Sequence, residues 1–471
     1  MDIFLEYWLP PLWAAYLLAL SVWILLQQRP PVSTLAWILS LAALPVLGFL
    51  IYHWLGPVRI RRQQIKRRRS RNRRLLDQDP LIASDQLLSL TSPLQQRQAQ
   101  LVEALCGSPP TTASSVILLN DGAATYEALL KALSEAREHI HLEYYIIEPG
   151  RVADELSEVL CERAKAGVAV RLLVDAVGSA GLPRAYLRTL RTAGVELVWF
   201  HPFRLATLKP LLNLRTHRKI AVIDGRVGFT GGINLCDEQD ERVSSTAWHD
   251  LHLRIEGAAV NGLQQVFVED WIYASRKPLV QHGLFPVLAP GEIALQWLPS
   301  GPDTPSEPIH RAMLQSIHDA RERVWLMTPY FVPPEPALYA LVNAALRGVD
   351  VRLLLPRRAD SRIVTYASRS YFDELLEAGV RVFEYQPRML HAKVLLIDSE
   401  LCTLGSANFD ARSFRLNFEL CVNLYGEAPA QLLAEQFDRD LQDGVEVCRP
   451  RKLRFRARLA EAAARLLSPV L

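Results

Sequence analysis

Two stretches of this chain, 174 residues apart, repeat the same polar and glycine positions at the same offsets. "HRKIAVIDGRVGFTGGIN" runs from His217 to Asn234, and "HAKVLLIDSELCTLGSAN" from His391 to Asn408. In each, a lysine follows the histidine at +2, an aspartate at +7, a glycine at +14 and an asparagine at +17. The flanking segments repeat as well. "ALSEAREHIHLEYYII" (Ala132 to Ile147) parallels "SIHDARERVWLMTPYFV" (Ser316 to Val332), "AKAGVAVRLLVD" parallels "ALRGVDVRLLLP", and "LRTAGVELVWFHP" parallels "LLEAGVRVFEYQP". Equivalent points stay 174 to 185 residues apart. A fixed internal period of this kind means one structural unit used twice. The join lies near "LAPGEIALQWLPSGPDTPSEP" (Leu288 to Pro308), rich in Pro and Gly.

Each unit reads as helix and strand in alternation, ending on the histidine strand. The strand cores "VRLLV", "VRLLL", "KIAVI" and "KVLLI" are continuous apolar runs. Strands buried on both faces read this way, so the expected fold is α/β, with two units of mixed sheet flanked by helices. Residues two apart on a strand share a face, which projects His217 with Lys219 and His391 with Lys393. Glycines at Gly231, Gly232 and Gly405 allow close approach of backbone, with Ser406 beside the last.

Two such sets facing one another form a pocket with two imidazoles, two ammonium groups and two amides, an inventory suited to a phosphodiester. Lys219, Lys393, Asn234, Asn408 and Ser406 are candidates to hold the non-bridging oxygens. One imidazole can attack phosphorus while the other serves as acid and then base. Each imidazole needs a partner that fixes its tautomer, and Asp250 and Glu419, at similar distances after the two motifs, are the candidates. Asp224 and Asp398 complete the six-residue catalytic motif set, with a structural part read for them at the strand ends. No metal-ligand clustering accompanies the motifs and the lysines supply the positive charge, so the expected reaction uses no metal and no cofactor. The six cysteines are scattered without a Cys-x-x-Cys pair, which speaks against a zinc site and a disulfide framework.

The N-terminal end differs. "WLPPLWAAYLLALSVWILL" (Trp8 to Leu26) has no charge, and "STLAWILSLAALPVLGFLIYHWLG" (Ser33 to Gly56) has only His53. Both approach the roughly 20 residues that cross a bilayer as helix, and Trp and Tyr crowd their ends. A signal peptide would begin basic, whereas this chain begins "MDIFLEYW". Two transmembrane helices are expected. The run "VRIRRQQIKRRRSRNRR" after the second marks the cytoplasmic side and an affinity for anionic headgroups. Nucleic-acid binding is the other reading of such a run, but it abuts an apolar segment and lacks interleaved aromatics. The expected divisions are two transmembrane helices at 1–58, a basic linker and helical region at 59–114, the first unit at 115–294 and the second at 295–471. The second ends in an amphipathic helix, "RKLRFRARLAEAAARLLSPVL", which reads either as an interfacial helix or as one packed on the domain.

The paired His-x-Lys-x4-Asp-x6-Gly-x2-Asn motifs resemble the phospholipase D superfamily. "LQWLPSGPDTP", "TPYFVPPEPAL", "RLNFEL" and the "SPVL" terminus, with the two apolar segments, resemble bacterial cardiolipin synthases of the two-span type. The resemblance implies a multi-pass enzyme of the bacterial inner membrane, with its catalytic part facing the cytoplasm. It implies transfer of a phosphatidyl group from one phosphatidylglycerol to another through a phosphohistidine, with glycerol released. It also implies His217 as the nucleophile and His391 as the acid/base, an order the near-identity of the halves leaves open. A hydrolase using water as acceptor shares the first half of that chemistry. The first motif departs from the second in carrying Gly232 where Ser406 stands.

Overall fold

The computed structural model describes residues 9–26, 31–44, 47–48, 52, 90–202, 214–304 and 306–468. By its contacts the chain divides into a small N-terminal unit and a large unit holding both repeats. In the small unit, helices Leu9–Leu25 and Pro31–Ala43 carry no charged residue, and Ile24, Leu41 and Tyr52 form its buried apolar cluster among the described residues. Seventeen residues of helix rise about 25 Å, short of the hydrocarbon core. No described helix is long and apolar enough to cross a membrane. The two expected spans are therefore not seen whole, since 27–30, much of 45–58 and the basic run through 74 fall outside the described residues.

In the large unit the repeat is visible strand by strand. The first half contains β1 (Thr111–Ala113), β2 (Ser115–Leu119), β3 (His139–Tyr144), β4 (Ala169–Asp175), β5 (Glu196–Phe200), β6 (Ile220–Ile223), β7 (Val227–Gly231) and β8 (His252–Glu256). Seven of these form a sheet in the order β2-β8-β7-β6-β3-β4-β5. Only the pairs β3–β4 and β4–β5 are parallel. The second half contains β9 (Ile293–Ser300), β10 (Arg323–Met327), β11 (Phe331–Val332), β12 (Asp350–Pro356), β13 (Arg381–Tyr385), β14 (Val394–Ile397), β15 (Leu401–Gly405), β16 (Phe409–Asp410), β17 (Glu419–Tyr425) and β18 (Gly444–Glu446). Its sheet runs β9-β17-β15-β14-β10-β12-β13, the same order with the same two parallel pairs, and is extended by β1 at one edge and β18 at the other.

The continuous apolar runs are explained by this arrangement. Each sheet packs an outer core of its own, and a third apolar cluster draws on both halves. In that shared cluster Val222, Leu253 and Trp271 meet Trp297, Leu420 and Phe437. Every residue of β6 and β14 is buried. The region expected as a linker before the first unit contributes to the second instead. Helix Pro93–Cys106 puts Leu94, Ala99 and Val102 into the second half's core, and β1 pairs with β9. The helix is sharply delimited, with Ser92 accepting from the Gln95 amide at its start and Gly107 in the left-handed conformation at its end.

Candidate active site

Lys219 and Lys393 immediately precede β6 and β14, and His217 and His391 stand three residues ahead of them, in lead-in segments rather than inside the strands. Two reciprocal backbone clasps tie these segments across the molecule. The His217 amide donates to the Phe418 carbonyl at 2.8 Å and the Phe418 amide to the Arg215 carbonyl at 2.8 Å. On the other side the His391 amide donates to His249 at 2.7 Å and the His249 amide to Met389 at 2.8 Å. The clasps make His249 the counterpart of Phe418, and hence Asp250 the counterpart of Glu419.

The carboxylates accordingly serve opposite halves. His217 Nδ1 lies 3.0 Å from Glu419 Oε2, and His391 Nδ1 lies 2.5 Å from Asp250 Oδ2. An ionised carboxylate only accepts, so each Nδ1 carries the proton and each Nε2 keeps its lone pair. Both carboxylates are held below their ordinary pKa. For Asp250, burial opposes ionisation, but Lys393 and His391 prevail and bring it down to about 2. For Glu419, burial is likewise outweighed by His217 and Lys219. Asp250 also receives Gln239 Nε2 at 3.2 Å and Lys393 Nζ at 3.4 Å. Glu419 receives Asn417 Nδ2 at 3.1 Å and the Ser406 hydroxyl.

The two lysines are almost fully buried. Lys219 Nζ donates to the His217 carbonyl at 2.7 Å, and Lys393 Nζ makes the equivalent bond to His391. Burial and the nearby Lys393 cation bring Lys219 down to about 7. Burial also lowers both imidazoles, His391 to about 4, and each feels the lysine of the other half. These mutual effects place the four groups in one electrostatic site. The resting site therefore holds neutral imidazoles beside two buried lysines, an environment that strengthens any bound anion's contacts.

Asn234 and Asn408 sit in matching frames. Their backbone amides donate to Gln239 Oε1 at 2.7 Å and to Ser413 Oγ at 3.2 Å, five residues on in each case. The buried Oδ1 atom of each has no hydrogen-bond partner. Tyr145 meets the His217 ring edge-on at 5.0 Å, and Trp248 lies 5.2 Å from His391.

The remaining expected residues fall elsewhere. Asp224 accepts the amides of Arg137, Glu138 and His139, each at 2.8 Å, and Asp398 accepts those of Arg321, Glu322 and Arg323. Neither aspartate is hydrogen-bonded to an imidazole. They anchor the chain where β3 and β10 begin, in addition to occupying the turn that follows their own strand. In the first half that turn is the three residues Asp224, Gly225 and Arg226, with Asp224 and Gly225 at positive φ and the Arg226 amide donating to the Ile223 carbonyl at 2.9 Å. Ser406 turns its hydroxyl to Glu419 and accepts the Leu420 amide at 3.0 Å, so its bonding capacity is used within the protein.

The difference between Gly232 and Ser406 has a steric cause. A Cβ at Gly232 would stand 2.1 Å from Asp250 Oδ1. The shorter aspartate lies against the backbone of its neighbour, which requires glycine there. The longer Glu419 leaves room for a serine and receives its hydroxyl. The halves thus solve one positioning problem with two matched residue pairs.

A family model described as "Cardiolipin synthase, PLD-like domain" matches residues 129–271 and 313–441, the two halves just described. The chain is 41% identical over 456 residues to the cardiolipin synthase of Geobacillus thermodenitrificans (strain NG80-2), covering 95% of this chain and 90% of that one. The chain belongs to the cardiolipin synthase family of the phospholipase D superfamily. It is also 37% identical to cardiolipin synthase 1 of Bacillus anthracis, over 98% of this chain and 93% of the relative. A second family model, described as "Phospholipase_D-nuclease N-terminal", matches residues 14–57. Among solved structures, the fold is shared with phosphatidylserine synthase of Haemophilus influenzae Rd KW20. That match has a TM-score of 0.58 at 14% identity and covers 80% of this chain and all of the other.

Proposed function

We propose that this enzyme makes cardiolipin, transferring the phosphatidyl group of one phosphatidylglycerol to the glycerol hydroxyl of another. The reading rests on the crossed pairs His217–Glu419 and His391–Asp250, each imidazole feeling the lysine of the other half, in a chain of this family. Neutral His217 Nε2 attacks phosphorus, forming a P–N bond as the P–O bond to glycerol breaks. The bound phosphodiester favours a second proton on His391, at Nε2, and the imidazolium gives that proton to the departing alkoxide. The second phosphatidylglycerol then surrenders its hydroxyl proton to His391, its oxygen attacks phosphorus, and the P–N bond breaks. The lysines and the Asn234 and Asn408 amides face the charge that builds on the non-bridging oxygens. Glu419 and Asp250 hold each ring's tautomer and stabilise whichever imidazolium forms.

Both lipid substrates stay in the bilayer, so a tethered catalyst gains effective concentration. The apolar stretches Trp8–Leu26 and Ser33–Gly56 supply that tether as two spans of the bacterial inner membrane, and the basic run after them sets the large unit on the cytoplasmic side. The N-terminal family match over 14–57 supports this reading. Anionic lipid is the partner, rather than nucleic acid.

Full-length protein reconstituted with labelled phosphatidylglycerol is expected to yield cardiolipin and glycerol. Phosphatidic acid without cardiolipin would make it a hydrolase.

The pH profile follows from the site's charges. In the free enzyme, kcat/KM falls on the acid side, below pH 6.5, as His217 takes up a proton. On the basic side it falls as the proton donor His391, lowered to about 4, and then Lys219, lowered to about 7, lose their protons. A phosphodiester bound between the lysines favours their charged forms and also favours a charged imidazole on the acid/base. The basic limb of kcat is therefore expected at higher pH than that of kcat/KM. Coincident limbs would mean that Lys219 does not meet the phosphate.

A further inference from the structure

The C-terminal helix Phe455–Arg465 presents an inner and an outer face. The inner one is accounted for: Glu461 and Ala464 are buried, and Arg451 holds Asp373 and Glu461 in paired contacts of 2.7 to 3.2 Å. Arg465 stacks over Tyr371 at 4.5 Å, and Tyr371 meets Ser468 at 2.9 Å. On the opposite side Phe455, Leu459 and Leu466 are 78%, 58% and 81% exposed. At 100° per residue these three fall within about 40° of arc, with Ala462 about 20° beyond its edge, nearly opposite Ala464. Exposed basic residues border that stripe: Arg456 on one side, Arg454 and Arg458 on the other, with Lys452 ahead of the helix. The one acid on the helix, Glu461, faces inward. Arg458 has Asp373 nearby, but that carboxylate is already bound bidentately by Arg451. The stripe is therefore apolar along its middle and cationic along both margins.

We infer that this outer face docks on an anionic lipid surface, with Phe455, Leu459 and Leu466 among the acyl chains and the arginines at the phosphate level. A soluble partner of matching shape would need a greasy ridge lined with acids, whereas an anionic bilayer offers that combination over its whole surface. The helix is anchored to the domain by its other face, so docking fixes the orientation of the large unit to the bilayer. The motive for such a surface rests on the lipid-substrate reading; the test does not.

A nitroxide at Leu459→Cys, in full-length protein carrying Cys106→Ser and Cys448→Ser, reports its surroundings by collision with oxygen and with a water-soluble nickel chelate. Moving from detergent to vesicles of phosphatidylglycerol and phosphatidylcholine is expected to lower the nickel contact several-fold and raise the oxygen contact. In pure phosphatidylcholine the change is expected to be small, and Arg454→Glu with Arg456→Glu should abolish it. A nitroxide that stays water-exposed in the anionic vesicles overturns the inference. So does one already shielded in detergent, which would mean cover by protein, and so does spin–spin broadening, which would mean a second copy. No readout depends on turnover, so an inactive enzyme with a buried nitroxide separates this inference from the proposed reaction.

Discussion

Replacing either His217 or His391 by alanine is expected to lower cardiolipin formation by about 10^4-fold or more, with the protein still folded and membrane-bound. The two losses arise at different steps. Without His217 there is no nitrogen nucleophile, and no radiolabel from a phosphatidyl donor should remain on acid-quenched protein. Without His391 the nucleophile is intact but the alkoxide leaves unprotonated. Label should then accumulate when the donor carries a better leaving group than glycerol, one that needs no proton. If label appears on the His217→Ala protein and not on the His391→Ala protein, the roles are reversed. Substantial turnover by either variant contradicts a two-imidazole mechanism.

Each imidazole turns its Nδ1 to one carboxylate, His217 to Glu419 and His391 to Asp250. Asp250→Asn and Glu419→Gln therefore isolate orientation from chemistry. An amide facing Nδ1 can donate as well as accept, so the ring is free to place its proton on Nε2, where it blocks attack. Both variants leave the imidazole present and the fold nearly isosteric.

The offsets from His217 and His391 were enough to single out both histidine–lysine pairs as candidates, because a repeated spacing survives whatever lies between. The repeat also predicted the matching sheets. Asp250 and Glu419 were within reach as candidates, but their crossing to the opposite half was not. That crossing depends on the clasps at Phe418 and His249, which are backbone bonds and leave no mark on residue type. Gln239 and Ser413 escaped for a different reason. They sit at one offset from the two asparagines and do one job, but as an amide and a hydroxyl they share function without identity. Strand β1 and helix Pro93–Cys106 precede the first repeat in sequence, yet they complete the second in space. Sequence order cannot convey such an exchange when both halves offer similar sheet edges.

Arg218, between the motif histidine and lysine, carries the largest expected effect on stability. Its side chain is 1% exposed. Nε donates to the Glu419 carbonyl at 3.0 Å, Nη2 to the Ser300 carbonyl at 3.1 Å, and Nη1 pairs with Asp270. One guanidinium thus joins an acid of the first half to two carbonyls of the second. Glu143 shares the cluster, its pKa pushed well up by burial and by Asp270. Arg218→Met removes the cation from beside a buried carboxylate and strands both carbonyls, which is expected to cost about 3–5 kcal/mol. The measurement is the unfolding midpoint of the detergent-solubilised protein, which should fall by several degrees. Adding Asp270→Leu should restore part of the loss, because it removes the charge that Arg218 neutralised. The second half shows that such packing is compatible with the fold: Ala392 follows His391 as Arg218 follows His217, and strand register makes Met327 the counterpart of Glu143. If the single variant melts with the parent, the guanidinium does not join the halves. If the double variant is less stable than the single, Asp270 is supported by other contacts, and the cluster's stability does not hinge on this one charge.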